Sequence, residues 1–174
     1  LINHRSHDFR ALISECIRGL KEVLRTDNEI LLFPCSGSGA LESVIVNLFS
    51  PGDTVVCVTN GVFGERMALI AESYGLEVIR LAREWDRGID PTAVESILVS
   101  REGAEIKAVC LPQNETSTGV CNDIAAISSV IQASRSECLL VVDAVSSLCC
   151  IELETKKWNV DVVVSGSQKG LMLP

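Results

Sequence analysis

One lysine near the end of the 174-residue sequence lies where its amine could act as a nucleophile. Lys169 follows the small, uncharged run 165–168, which in turn follows the strand-like run 160–164. A lysine that forms a Schiff base with an aldehyde must lose its proton readily, and a close-packed, desolvated loop favours that loss. The sequence therefore indicates a nucleophilic lysine, although an ordinary surface-loop lysine would fit the same pattern.

Two segments upstream could complete a site around that amine. Ser36, Gly37 and Ser38 form a small-residue turn before a predicted helix, and the N–H groups of a helix N-terminus attract phosphate. Asp143 ends the apolar run 139–142, where a carboxylate can keep a pyridine nitrogen protonated. Taken singly, the turn equally fits a serine cap, and Asp143 fits a turn aspartate. Together with the lysine, in this order, they are what a pyridoxal phosphate (PLP) enzyme needs.

Predicted helices and strands alternate along the chain and decide where these residues meet. Periodicity and capping residues predict helices at 8–25, 39–49, 63–74, 91–100 and 122–134. Apolar runs predict strands at 54–59, 76–81, 106–111, 138–142 and 161–164, and a further strand at 30–33 leading into the Ser36 turn. Continuously apolar strands between helices are typical of an α/β three-layer sandwich with a mainly parallel sheet.

Ligands of such sheets bind at the carboxyl ends of the strands, so the candidate residues should share one edge. No internal repeat or linker interrupts the pattern, so residues 1–174 are interpreted as one domain. A hydrophobic content of 47% supports a globular core.

Composition argues against several classes of protein. A formal net charge of −8 without a basic patch argues against a nucleic-acid partner, and no apolar run reaches the ~20 residues of a membrane span. The eight cysteines include no C-x-x-C pair, so neither a metal site nor a disulfide framework is predicted. Reduced cysteines in apolar strands, at Cys57, Cys110 and Cys138, indicate a cytoplasmic location, with an organelle of a eukaryote left open.

Other polar or aromatic residues follow the predicted strands or begin the chain. Phe63, at a strand-to-helix junction, could stack on an aromatic ring or could be a core residue. The loop 114–119 offers hydroxyl donors such as Thr116, or is merely a loop. His4 and His7 are better explained as exposed side chains than as ligands.

Five short motifs together resemble the class V aminotransferases of the fold type I PLP family. The closest subgroup is the alanine–glyoxylate and serine–pyruvate or serine–glyoxylate aminotransferases. The resemblance covers residues 9–174 and implies the large, PLP-binding domain of that fold, incomplete at its C-terminal side. The motifs, in the family's order, are Ser-Gly-Ser-Gly-Ala-Leu-Glu at 36–42, Asn-Gly-Val-Phe-Gly-Glu-Arg at 60–66, Glu-Thr-Ser-Thr-Gly-Val at 115–120, Val-Val-Asp-Ala-Val-Ser-Ser-Leu at 141–148 and Ser-Gly-Ser-Gln-Lys at 165–169.

The resemblance implies a role for each matching residue. Lys169 would form the internal aldimine with PLP and later shuttle the proton, while Asp143 would pair with the pyridine nitrogen. Val145 would pack against one face of the ring, and Phe63 would stack on the other, where relatives often carry tryptophan. Thr116 would bond the ring hydroxyl, where relatives often carry serine. The phosphate would be held by Ser36, Gly37, Ser38 and Gln168.

The implied reaction is transamination between an amino acid, alanine or serine, and a 2-oxo acid, glyoxylate or pyruvate. The resemblance also implies a homodimer. Relatives continue well beyond Pro174, into a small domain with a substrate-binding arginine, so this chain is expected to be a fragment truncated at both ends. Two alternatives are left open: an inactive fragment that only binds PLP or dimerises, and another class V reaction such as that of a desulfurase or lyase.

Overall fold

A computed structural model of the chain describes residues 2–100, 106–134 and 137–173. Within these ranges the helices are α1 (His7–Leu24), α2 (Gly37–Leu48), α3 (Val62–Ser73), α4 (Pro91–Ser100) and α5 (Ile124–Ser134). The strands are β1 (Thr54–Thr59), β2 (Glu77–Ala82), β3 (Ile106–Pro112), β4 (Asn114–Glu115), β5 (Val120–Cys121), β6 (Leu139–Asp143) and β7 (Val162–Val164).

Five of the strands form one parallel sheet in the order β2-β1-β3-β6-β7. The two short strands β4 and β5 pair antiparallel as a separate hairpin. They lie around the loop predicted at 114–119, where a strand of two residues is too short to leave a periodic signal.

Helices cover both faces of the sheet, so the predicted three-layer α/β sandwich is confirmed. Alternate residues of β1, β3 and β6 point to opposite faces and build two apolar cores. One core receives Val94, Leu98 and Ile127 from α4 and α5. The other receives Leu41 and Ile45 of α2 and Met67 of α3, among others. Because the strands are buried on both faces, their sequences are apolar throughout rather than alternating.

Local signals fix several helix ends near the predicted bounds. Ser36 caps α2, since its Oγ accepts a hydrogen bond from the Gly39 N–H at 3.2 Å. Gly75 closes α3 at φ +81°, a left-handed conformation that favours glycine. Asp90 Oδ1 accepts from the Thr92 N–H at 3.0 Å ahead of α4. Apart from the run 30–33, each predicted element agrees with an observed one to within two residues at both ends.

The predicted strand at 30–33 is wrong. This segment has no strand conformation, and Leu31, Leu32 and Phe33 are 73%, 50% and 52% exposed. An apolar run becomes a strand only when another strand satisfies its backbone groups, and the five-stranded sheet ends at β2 and β7 without pairing to this segment. The turn at Ser36 is therefore a loop-to-helix rather than a strand-to-helix connection.

The apolar stripe of α1 correctly predicts a helix but not a buried one. Leu24 is the buried residue of α1, whereas Leu12 is 46% exposed. None of the helices in the described ranges has the length and apolar character needed to cross a bilayer.

Candidate functional site

Three strands end in register at one edge of the sheet. Pro112 of β3 pairs with Asp143 of β6, and Asp143 pairs with Val164 of β7. The segments that follow these strands carry Thr116, Val145 and Lys169, so all three leave the sheet from the same side. This is the carboxyl edge, where parallel sheets bind ligands.

The N-terminus of α2 lies against the segment that follows β6. A Cβ added at Gly37 would lie 3.0 Å from Val145 Cγ2, so the glycine allows the helix end to approach that side chain closely. The Val145 N–H in turn donates to Asp143 Oδ1 at 2.9 Å. The predicted phosphate turn and the predicted ring carboxylate are thereby joined through one residue.

The α2 N-terminus keeps donors available. Ser36 Oγ accepts from Gly39, but its own hydroxyl hydrogen is not used by any described residue. The N–H groups of Gly37 and Ser38 likewise donate to none of the residues that the structure describes. A helix end with free N–H groups and hydroxyls is suited to an anion such as phosphate.

Asp143 is a buried carboxylate with one hydrogen bond among the described residues. It is 7% exposed, and its carboxylate accepts that hydrogen bond from the Val145 N–H. Burial raises the pKa of Asp143, and the negative charge of Glu115 raises it further, while the Val145 N–H and the charge of Arg66 act in the opposite direction. A buried carboxylate short of positive partners suits a ligand that brings a protonated ring nitrogen.

The raised pKa of Asp143 predicts a pH-dependent cost of folding in the cofactor-free chain. The ordinary pKa of an aspartate is about 4. The free energy of unfolding therefore falls as pH rises from about 4 through the raised pKa of Asp143, because the folded chain holds the proton more tightly than the unfolded chain does. Asp143→Asn cannot ionise but can still accept from Val145. We expect this variant to be more stable than wild type at pH 7, with the difference vanishing towards pH 4. Urea unfolding at several pH values measures it, and a constant difference across pH would contradict it.

Phe63 and an arginine one helical turn later reach the same region from α3. The Arg66 guanidinium carbon lies 4.8 Å from the centre of the Phe63 ring, a cation–π distance. Arg66 Nη1 also donates to Ser38 Oγ at 3.3 Å, which links α3 to the phosphate turn of α2. Arg66 makes no ion pair among the described residues, so a positive charge stands beside the turn.

Contacts among four segments close into a ring around the site. α2 contacts the segment after β6, and that segment contacts the β4–β5 hairpin. The hairpin contacts α3, and α3 contacts α2. The linking pairs are Gly37 with Val145, Ser146 with Asn114, Glu115 with Phe63, and Arg66 with Ser38. Thr116 belongs to the hairpin and is exposed, and none of the described hydrogen bonds joins its side chain to the other candidates.

The lysine loop packs against the same edge. A Cβ added at Gly170 would lie 2.1 Å from the Leu148 carbonyl oxygen, so the loop presses on the turn that follows Asp143. Gln168 folds back over Gly166, where an added Cβ would lie 2.6 Å from Gln168 Oε1. Lys169 itself is exposed. None of the described contacts joins its side chain to Asp143 or to the phosphate turn.

Other candidate groups do not join this site. His4 and His7 are exposed at the start of α1 and contact none of the residues above. No cluster of three or more His, Cys, Asp or Glu in the described ranges could hold a metal ion. A cavity of about 290 Å³ lies between the end of α1 and the segment 148–153, and none of the candidate site residues lines it.

Known protein families include one that matches nearly the whole chain. The family model described as "Aminotransferase class-V" matches residues 2–174. The chain belongs to the class V aminotransferases. This confirms the resemblance carried by the five motifs.

Three curated relatives of this class V aminotransferase chain are 39–40% identical to it. An L-aspartate–glyoxylate aminotransferase of Paracoccus denitrificans is 40% identical over 99% of this chain and 44% of its own length. A serine–glyoxylate aminotransferase of Methylorubrum extorquens is 39% identical over 99% of this chain and 43% of its own. A relative from Synechococcus, 39% identical over 99% of this chain and 45% of its own, is named soluble hydrogenase, small subunit. The chain thus spans less than half the length of these relatives.

Solved structures agree with this class V fold. An aspartate aminotransferase of subgroup IV from Thermus thermophilus superposes with a TM-score of 0.92 at 34% identity. The superposition covers 100% of this chain and 48% of that one. The parallel sheet and its flanking helices are therefore those of a fold type I aminotransferase.

Sequence patterns predict no role for two residues of the candidate site, Arg66 and Glu115. Both lie inside the motifs that resemble the family. For Arg66 a signal existed, because residues three apart on a helix share a face and Arg66 follows Phe63 by three. For Glu115, buried within a polar loop, nothing local distinguishes it from a solvated side chain.

Proposed function

We propose that this chain carries the PLP site of an aminotransferase that moves an amino group from an amino acid to a 2-oxo acid. Glyoxylate is favoured as the acceptor, with pyruvate the alternative, because two relatives are named for glyoxylate. The donor amino acid is less determined: the same two names give aspartate and serine, and alanine or serine is the donor that the motifs imply. Homodimerisation stays a prediction from the resemblance.

The observation that carries the proposal is the connection from Gly37 through Val145 to Asp143. It brings a helix end with free N–H groups and a buried carboxylate to one edge of the sheet, and the fit is close, because a Cβ added at Gly37 would lie 3.0 Å from Val145 Cγ2. PLP has a phosphate at one end and a ring nitrogen that can carry a proton. The residues present therefore fit this cofactor.

Ser36, Gly37 and Ser38 would hold the phosphate of PLP. Free N–H groups at the start of α2, the helix dipole and two hydroxyls provide donors without a large desolvation cost. Arg66 adds a positive charge beside Ser38, and Gln168 adds an amide from the lysine loop. This anchoring would set the position of the rest of the cofactor.

The remaining residues would orient the ring. Asp143 would hold a proton on the ring nitrogen through its buried carboxylate. Val145 would pack on one face of the ring, and Phe63 would stack on the other. Thr116 is exposed, and its hydroxyl, which makes no hydrogen bond to a described residue, would donate to the ring hydroxyl.

PLP, when bound, supplies an aldehyde that captures amines and a ring that withdraws electrons. Lys169 Nζ would condense with that aldehyde, whose oxygen leaves as water, and so retain the cofactor. After an amino acid replaces it there, the freed Nζ would take the proton from the amino acid Cα, acting as general base. Proximity is built in, because the base is tethered in the loop that follows β7.

An absorbance titration with PLP followed by borohydride reduction and peptide mapping tests the site. We expect a visible band that saturates with PLP, and a reduced label on the peptide that contains Lys169. The exposed Lys157 is an internal reference for nonspecific labelling in the same digest.

The distribution of the reduced label over the lysines decides whether this chain contains the PLP site. A label concentrated on Lys169 supports the site, and subsequent addition of alanine, serine or aspartate with glyoxylate then tests donor and acceptor. Label scattered equally over Lys169 and surface lysines would contradict a site within this chain.

A further inference from the structure

Glu115 is a buried charge that the proposed mechanism does not use. It is 0% exposed, and none of the ion pairs among the described residues includes its carboxylate. Both of its oxygens instead accept hydrogen bonds from two different segments. Oε2 accepts from the N–H groups of Phe63 and Gly64, each at 3.0 Å, while Oε1 accepts from the Ser117 N–H at 3.0 Å and the Ser117 hydroxyl at 2.6 Å.

The start of α3 compensates the charge of Glu115. Two of the helix's unpaired N–H groups point at one carboxylate oxygen, and the helix dipole favours a negative charge there. The fit is tight, since a Cβ added at Gly61 would lie 2.3 Å from Glu115 Cγ and 2.4 Å from Cδ. Gly61 therefore allows the backbone to close on the carboxylate.

Glu115 joins two segments, and each carries one residue that is predicted to contact the cofactor ring. The other predicted ring contacts come from the segment of Asp143. One of the two joined segments is the first turn of α3, with Phe63, and the other is the hairpin loop, with Thr116 beside Ser117. Phe63 receives its position through its own N–H bond to Glu115. Thr116 lies between Glu115 and Ser117, which are bonded to each other, so its backbone is fixed on both sides.

We propose that Glu115 is the positioning residue of the ring site, fixing Phe63 and Thr116 relative to each other before the cofactor binds. This proposal rests on the proposed function, because it assumes that those two residues contact the PLP ring. Glu115 does not touch the cofactor itself. Its effect is preorganisation, which lowers the cost of ordering two side chains on binding.

Glu115→Gln tests the proposal with almost no change of volume. A glutamine has one oxygen and one NH2 group, so whichever way it turns, its NH2 faces N–H donors that need an acceptor. We expect PLP to bind about tenfold or more weakly, a loss typical of supporting residues around a site. Absorbance titration measures the dissociation constant, at a temperature where circular dichroism shows the variant folded.

Inorganic phosphate separates positioning from general structural damage. Phosphate alone should bind at the α2 N-terminus, where NMR shifts of the Gly37 and Ser38 amides report it, without using the ring site. Positioning of the ring predicts that Glu115→Gln weakens PLP binding but leaves phosphate binding near wild type. Equal weakening of both would overturn the proposal and assign Glu115 a purely structural role, and unchanged PLP binding would also overturn it.

Asp161→Asn is the matched control. Asp161 Oδ2 accepts from the Leu140 N–H at 2.8 Å, so the change also replaces a carboxylate that holds a backbone amide. Asp161 precedes β7, at the opposite edge of the sheet, and PLP binding should be unchanged. If wild type binds phosphate but fails to bind PLP, the proposed function fails. The ordering role of Glu115 can still be tested without PLP, by comparing the NMR shifts of the Phe63 and Ser117 amides in wild type and Glu115→Gln. Changed shifts of both amides would support that role.

Should Glu115→Gln fail to fold, Ser117→Ala supplies the test. It removes the 2.6 Å hydroxyl bond to Glu115 and the bond from the Val62 N–H to Ser117 Oγ, but leaves the carboxylate and its bonds to α3. We expect a smaller, selective weakening of PLP over phosphate. Ser129→Ala, which removes a hydroxyl bond within α5, is its control. A Ser117→Ala variant with wild-type PLP affinity would overturn the proposal.

Discussion

Lys169→Arg is expected to abolish the borohydride-stable label and to lower the proposed amino transfer by about a thousandfold, the range of a lost general base. Arginine keeps the positive charge and most of the length of lysine, but its guanidinium stays protonated and does not form the covalent link. The proposed contacts to the phosphate and the ring do not depend on Lys169, so PLP should still bind, but without the absorbance band of the covalently attached cofactor. Mass spectrometry of the reduced protein and the spectral change on adding an amino acid measure the two effects.

Lys157→Arg is the control for this substitution. Lys157 is exposed near the start of β7 and belongs to no candidate contact, so its replacement should change neither the label nor the rate. If Lys169→Arg kept the label at wild-type level, another lysine would hold the cofactor, and the assignment from the last motif would be wrong. If the label disappeared while PLP affinity stayed within about a few-fold, the anchoring roles of Asp143 and the α2 turn would gain support.

Much of the fold could be predicted from the sequence because its signals are local. Buried parallel strands are apolar throughout, and helices between them begin with residues such as Ser36 and end with residues such as Gly75. The failure at 30–33 shows the limit of such signals. Apolar character does not determine whether a partner strand is available, and the exposed leucines there have none among the described strands.

Only part of the candidate site could be predicted, because its geometry depends on contacts between distant segments. Strand ends and a helix start identify Asp143 and the Ser36 turn, but register decides that Pro112, Asp143 and Val164 are level with one another. Glu115 could not be assigned, because its burial arises from the approach of α3 to the hairpin, and Phe63 and Glu115 are 52 residues apart in sequence. For the same reason the ring of contacts from α2 to α3 and back has no sequence signal.

Gly64→Ala is expected to destabilise the chain by about 3 kcal/mol, at the upper end of the cost of overpacking. A Cβ at this position would lie 2.2 Å from the Val58 carbonyl oxygen and 3.2 Å from Thr59 Cα. These are backbone atoms of β1, which cannot rotate away as a side chain can. α3 would have to move off the sheet, against the buried contacts of Met67 and Ala68.

Gly19→Ala is the matched control for Gly64→Ala. Gly19 is also helical, in α1, but an added Cβ there meets nothing within 4 Å. Alanine should stabilise α1 by about 0.5–1 kcal/mol through helix propensity alone. Urea unfolding of both variants measures these opposite signs. Equal stability of Gly64→Ala and wild type would mean that α3 tolerates displacement.

Displacement of α3 links this stability effect to the site. The Gly64 N–H is one of the two that bond Glu115, and Phe63 precedes it, so a shifted helix would lose both the carboxylate contact and the ring position. Gly64→Ala should therefore weaken PLP binding even where the chain remains folded, while phosphate binding at α2 changes less. Close packing of α3 on β1 and the order of the ring site would then have one structural origin, the absent side chain at Gly64.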